Sequence, residues 1–96
     1  MRFNFEWDPK KAAANLRKHG ISFELAASIF KDPNAISIFD EDHSGEQDRW
    51  TTLGIAASGA ILVVHHTFTT VGSDMVMIRL FSSRKATGTE LRQYAG

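Results

Sequence analysis

The stretch from Met75 to Tyr94 gathers most of the groups that could act on a substrate. Arg79 stands inside the apolar run Met77-Ile78-Arg79-Leu80-Phe81, and Ser82, Ser83, Arg84 and Lys85 follow at its end. A charge buried without a partner is costly, so Arg79 either faces water on an open side of a sheet or is paired. An open basic sheet face is suited to phosphate, whose oxygens an arginine fork matches two at a time. Upstream, His65 and His66 supply side chains that exchange protons near neutral pH. This combination suits RNA cleavage without a metal. A base activates the 2′-hydroxyl, cations stabilise the phosphorane charge, and an acid protonates the leaving oxygen.

Each of these residues also has a plainer role. Arg84 and Lys85 equally suit a solvated strand end, where exposed charges contribute little. A histidine on a strand is more often structural than catalytic. Neighbours on a strand point to opposite faces, so one of His65 and His66 faces the helices and the other the open side, and either can be the proton-transfer group. Opposite faces also prevent the pair from chelating one metal ion. Trp50 can stack a base, although a tryptophan there also suits a core, and Arg49 has Glu46 and Asp48 as candidate partners. His19 fits a helix C-terminus, where the dipole favours a cation. His43 is a loop histidine with no evident partner, and Tyr94 is a candidate acid or stacking group. No glycine-rich phosphate loop, nucleophile elbow or metal-ligand pair is present, so no cofactor and no metal are expected.

The 96-residue length points to one domain over residues 1–96. There are no cysteines, which excludes disulfides and thiolate metal sites. No apolar run reaches the roughly 18 residues needed to span a membrane, and the N-terminus lacks the apolar segment of a signal peptide. A cytoplasmic protein with no membrane partner is the expectation. The zero net charge argues against a nucleic-acid binder until it is divided. Residues 1–31 hold six basic and three acidic side chains, residues 32–48 hold six acidic and none basic, and residues 49–96 hold five basic and two acidic. Two basic segments flank an acidic one.

These residues need elements to position them. Phe3 to Trp7 alternates like a half-buried strand, with Phe3, Phe5 and Trp7 towards the core. Asp8 and Pro9 open a helix over Lys10 to Lys18 that stops at Gly20. Ser22 caps a second helix, Phe23 to Phe30, with a clear apolar face. Strands are predicted over Ala35–Phe39, Arg49–Ala56, Ala60–Thr69 and Asp74–Ser82, with an acidic loop from Asp40 to Asp48. Thr87 and Glu90 form a capping box for a short polar helix, Gly88 to Ala95. An N-terminal strand, two helices, a four-stranded antiparallel meander and a C-terminal helix make an α+β fold with helices on one sheet face.

In this order the sequence resembles the BrnT family of bacterial toxins. Phe5-Glu6-Trp7-Asp8 and Arg17-Lys18-His19-Gly20-Ile21-Ser22-Phe23-Glu24 look like its start. Asp42-His43-Ser44, Glu46, Arg49-Trp50, Leu53-Gly54, Val64 and His66-Thr67 continue it, and Ile78-Arg79, Ser82, Arg84-Lys85-Ala86-Thr87, Glu90, Arg92 and Tyr94 complete it. The resemblance implies a RelE-like fold, metal-independent endoribonuclease activity that inhibits translation and growth, and a BrnA-like antitoxin partner. Operator DNA would be reached only through that antitoxin, and either a homodimer or a heterotetramer with it is compatible. It nominates Arg49, His66, Arg79, Ser82, Arg84, Lys85 and Tyr94; by their chemistry we expect His66, Arg79, Arg84, Lys85 and Tyr94 to be catalytic and Arg49 and Ser82 to contact RNA. Gly88, Thr89 and Leu91 stand where the family is often basic, and His65 where an aliphatic residue is common. The weaker basic tail and neutral total leave a rival: a toxin-like binding module that mainly completes an antitoxin repressor complex.

Overall fold

The computed structural model describes residues 2–45 and 47–96. Six strands form one mixed sheet in the order β1-β6-β4-β3-β2: β1 Arg2–Glu6, β2 Ile36–Asp40, β3 Arg49–Ile55, β4 Ile61–Thr67 and β6 Met75–Lys85, with β5 Thr69–Val71 pairing with β6 off this path. Strands β2, β3 and β4 run as an antiparallel meander, β6 is antiparallel to β4, and β1 lies parallel to the first half of β6. The predicted fourth strand divides at Phe68 into β4 and the short β5, so β5 and β6 close a separate hairpin. Strand β6 outlasts its prediction by three residues, because β4 continues to pair with it as far as Lys85.

The first helix, α1 Pro9–His19, starts where Asp8 accepts from the Lys10 N–H and stops at Gly20, whose φ of 70° is left-handed. The second is shorter than its apolar pattern suggests. Its α-helical part, α2 Phe23–Ala27, tightens into a 3-10 turn over Ser28–Lys31. There the Ser28 hydroxyl donates to the Leu25 carbonyl and accepts from the Ala57 N–H, which draws the turn onto the sheet. Gly54 permits the approach. A Cβ at that position would meet the side chains of Ile29 and Ala35 at 3.2 Å.

Helix α2 and the 3-10 turn cover the inner sheet face. Phe23, Ala26 and Ile29 pack there on Leu62, Val64, Val76, Ile78 and Leu80, all buried. Of the three aromatic residues assigned to the core from the first strand, Phe3 is 42% exposed, while Phe5 and Trp7, the latter just beyond β1, are half-buried. Phe3 and Phe5 lie against Phe30, and Trp7 against Phe23.

The outer face is mostly open. Helix α3 Gly88–Ala95 lies over one end of it, with the predicted capping box formed at Thr87 and Glu90. Beneath that end Leu53 and Val63 are buried, although they alternate outward. Strand β1 stops opposite Arg79, so the second half of β6 has no strand on that edge. Helix α1 lies there instead. The Asn15 amide donates to the Ile21 carbonyl and its Oδ1 accepts from the Ser83 N–H, both at 3.0 Å. A buried polar side chain thereby satisfies a strand-edge donor and fixes the helix to the sheet.

Candidate functional site

The outer face is read by crossing the strands. One row holds Ile38, Thr51, His65 and Ser82, and the next holds Asp40, Arg49, Thr67, Arg79 and Glu6. The register changes between His65 and His66, which pair with Ser82 and Leu80, so Phe81 is an extra residue in β6. Such a bulge bends its strand and re-aims side chains. The bulge leaves Phe81 and Ser82 both on the outer face, and the Arg49 guanidinium stacks over the Phe81 ring with Cζ 4.4 Å from the centroid.

A shallow cavity of about 250 Å3 opens where these rows meet the β2–β3 loop. Asp40, His43, Arg49, His65, Phe81 and Ser82 line it together with Trp50. The Thr51 hydroxyl is 3.0 Å from His65 Nδ1 and orients the ring. Burial, and then the nearby Arg84 charge, hold the His65 pKa below the ordinary histidine value, so the ring is neutral at pH 7. At the loop end, His43 Nδ1 lies 2.9 Å from Asp40 Oδ2, and this contact holds the Asp40 carboxyl below its usual range. The Ser44 hydroxyl ties the loop down by donating to the Asp40 carbonyl and accepting from the Arg49 N–H. The cavity can therefore offer a neutral imidazole, a hydroxyl, an arginine fork and a carboxylate-oriented second imidazole.

The residues nominated from sequence are distributed unevenly about this cavity. Arg49 and Ser82 line it. His66 is fully buried on the inner face, with Nε2 2.6 Å from the Thr52 hydroxyl and Nδ1 3.1 Å from the Thr67 carbonyl. Its ring is enclosed by Phe30 and Phe68 at 4.8 and 4.6 Å. Burial pushes its pKa down to about 4, and solvent does not reach it. The histidine on the outer face is His65.

Arg79 is on the outer face, beyond the cavity lining, and its one ion pair among the described residues is Glu6 at 3.6 Å. Arg84 also points outward, but both its guanidinium nitrogens are held by Glu90, at 2.7 and 2.9 Å. That fork holds Glu90 down to about 2. Lys85 is exposed at the far end of β6. The Tyr94 hydroxyl donates to Asp32, which also accepts from the Ile55 N–H, so Tyr94 anchors α3 away from the cavity. Of the two partners suggested for Arg49, Glu46 lies outside the described residues, and no ion pair to Asp48 forms.

Alternation alone does not show which histidine faces outward, because Ile61-Leu62-Val63-Val64 is apolar on both faces. In the sequence Phe81 reads only as part of the apolar run around Arg79, Asp40 as the start of the acidic loop, and His43 as a loop histidine with no evident partner. Among the described residues, no three His, Asp or Glu side chains come together in a way that could hold a metal ion.

The family described as "Ribonuclease toxin, BrnT, of type II toxin-antitoxin system" matches residues 7–90. The crystal structure of the Brucella abortus ribonuclease toxin BrnT is similar, with a TM-score of 0.56 at 25% identity over 91% of this chain and 99% of that one. No curated protein sequence matches the chain significantly.

Proposed function

The chain belongs to the BrnT family of ribonuclease toxins of type II toxin–antitoxin systems, and from that premise we propose that it cleaves RNA in the cavity on the outer sheet face. The observation that carries this reading is a neutral histidine, oriented by Thr51, beside an arginine that makes no ion pair among the described residues. His65 Nε2 takes the proton of the 2′-hydroxyl while Nδ1–H donates to Thr51, so the free nitrogen is the basic one. The oxygen attacks the adjacent phosphorus, and Arg49 and the Ser82 hydroxyl face the charge that develops there. His43, aligned by Asp40, returns a proton to the leaving oxygen. Arg79 and Arg84 act on the same face through their positive potential, and the buried His66 supports the strand that carries His65.

The proposal includes a metal-independent reaction, a RelE-like single-domain toxin in the cytoplasm, inhibition of translation and growth, and a BrnA-like antitoxin that covers the same face. The test is incubation of the purified protein with RNA in excess chelator, together with inducible expression with and without the neighbouring antitoxin. Cleavage and growth arrest should both occur and should both be lost in His65→Ala. An intact protein that neither cleaves nor arrests growth, yet binds its antitoxin tightly, would instead be the inactive partner of a repressor complex.

A further inference from the structure

A second cavity, of about 290 Å3, lies on the other side of the Phe81 bulge. Its walls are Lys11, Ala14, Asn15, Lys18 and His19 on α1, with Phe81 and Ser82 on β6. The five helix residues fall at i, i+3, i+4, i+7 and i+8, one stripe of the helix. The small Ala14 leaves room between two lysines. Asn15, fully committed to Ile21 and Ser83, holds that stripe against the free edge of β6.

Three observations connect this cavity to the first. Phe81 and Ser82 line both. Lys11 Nζ lies 5.2 Å from the Phe81 centroid and Arg49 Cζ 4.4 Å, so the two cations are no more than 9.6 Å apart, the sum of those distances. No acidic side chain lines the second cavity, and neither lysine makes an ion pair among the described residues. Two unneutralised cations on a rigid stripe, level with the arginine of the first cavity, suit a polyanion that crosses the bulge.

We infer that the cavity between α1 and the Phe81–Ser82 bulge is a second nucleotide subsite, in which Lys11 and Lys18 hold a phosphodiester next to the scissile one. This rests on the cleavage reading above and adds the path of the substrate strand: over Phe81 and along α1. The site takes single-stranded RNA, because a flexible strand can follow the turn from the sheet face to the helix. Its contacts are made in the ground state and the transition state alike, so they act on KM rather than on kcat.

The experiment compares cleavage of a dinucleotide with cleavage of a longer single-stranded oligonucleotide containing the same bond. The proteins are the wild type, the double variant Lys11→Ala/Lys18→Ala and the control Lys10→Ala/Arg17→Ala. The control removes the same charge from α1 outside the cavity. We expect Lys11→Ala/Lys18→Ala to reduce the advantage of the long substrate about tenfold at low salt, through KM, with the control close to wild type. The salt dependence of log KM should flatten by about 0.7, from one phosphate no longer neutralised. Equal losses in both double variants would reduce the effect to overall charge and overturn the inference, as would equal losses on both substrates. Unchanged cleavage with weakened antitoxin binding would assign the stripe to the protein partner and also overturn it. Failure of the wild type to cleave either RNA would instead defeat the cleavage reading itself.

Discussion

His65 and His66 are joined by one peptide bond and lie in opposite surroundings. His66 lies on the inner face, with both ring nitrogens bonded and aromatic rings around it. His65 lies on the outer face, with one nitrogen held by Thr51 and the ring at a cavity wall. Burial depresses both pKa values, but with different consequences. On the inner face it accompanies a packed neutral ring, and on the outer face it leaves a neutral ring at the wall of an open cavity. The pleat of one strand thus separates a buried ring from an accessible one.

The largest expected effect tests the outer face. His65→Ala should reduce kcat/KM on RNA by about 10²–10⁴-fold, the usual contribution of a general base, with little change in the urea midpoint. A comparable loss of folding stability would break the division between the faces. On the inner face, His66→Ala should cost about 3 kcal/mol of unfolding free energy, through a cavity and an orphaned Thr52 hydroxyl. Cleavage measured well below the melting temperature should survive. Urea denaturation would give the first quantity and initial rates the second.

Acid provides a third test. The folded pKa of His66 is depressed to about 4, below its unfolded value of about 6.5. The unfolded chain therefore binds the extra proton first. The stabilisation is fully present above pH 6.5 and is lost as pH falls from 6.5 towards 4, by up to about 3 kcal/mol. Denaturation at stepped pH should show that slope, and His66→Ala should flatten it. Thr51→Val should lower kcat about tenfold by freeing the His65 ring while leaving stability nearly unchanged. The smallest effect concerns α3. Glu90→Gln should destabilise by about 1 kcal/mol, since the Arg84 fork and the cap at Thr87 are partly exposed. It should also free the Arg84 cation, so cleavage should not fall.

Much of the architecture was legible locally. Asp8, Gly20, Ser22 and the Thr87–Glu90 pair announced three helix starts and one stop because capping depends on neighbours within one turn. The meander followed from alternation and turns. The parallel docking of β1 on β6 was not legible, since it joins residues more than 70 positions apart. Nor was the division of the fourth strand at Phe68. For the site, the charge partition was readable and the resemblance nominated Arg49 and Ser82, which line the cavity, whereas the fates of Arg84 and Tyr94 depended on partners that only folding supplies: Glu90 across a turn, and Asp32 from the end of a distant helix.

By itself, the sequence determined the element types, a basic–acidic–basic partition and the requirement that the adjacent histidines face opposite ways. These follow from backbone periodicity and composition, which need no tertiary contact. Only the tertiary structure decided which histidine reaches solvent, because that depends on which face α2 covers. It also decided that Phe81 and Ser82 stand side by side on the outer face, between two cavities. A bulge is set by pairing between strands, and one extra residue on β6 against β4 leaves no mark in the sequence of either.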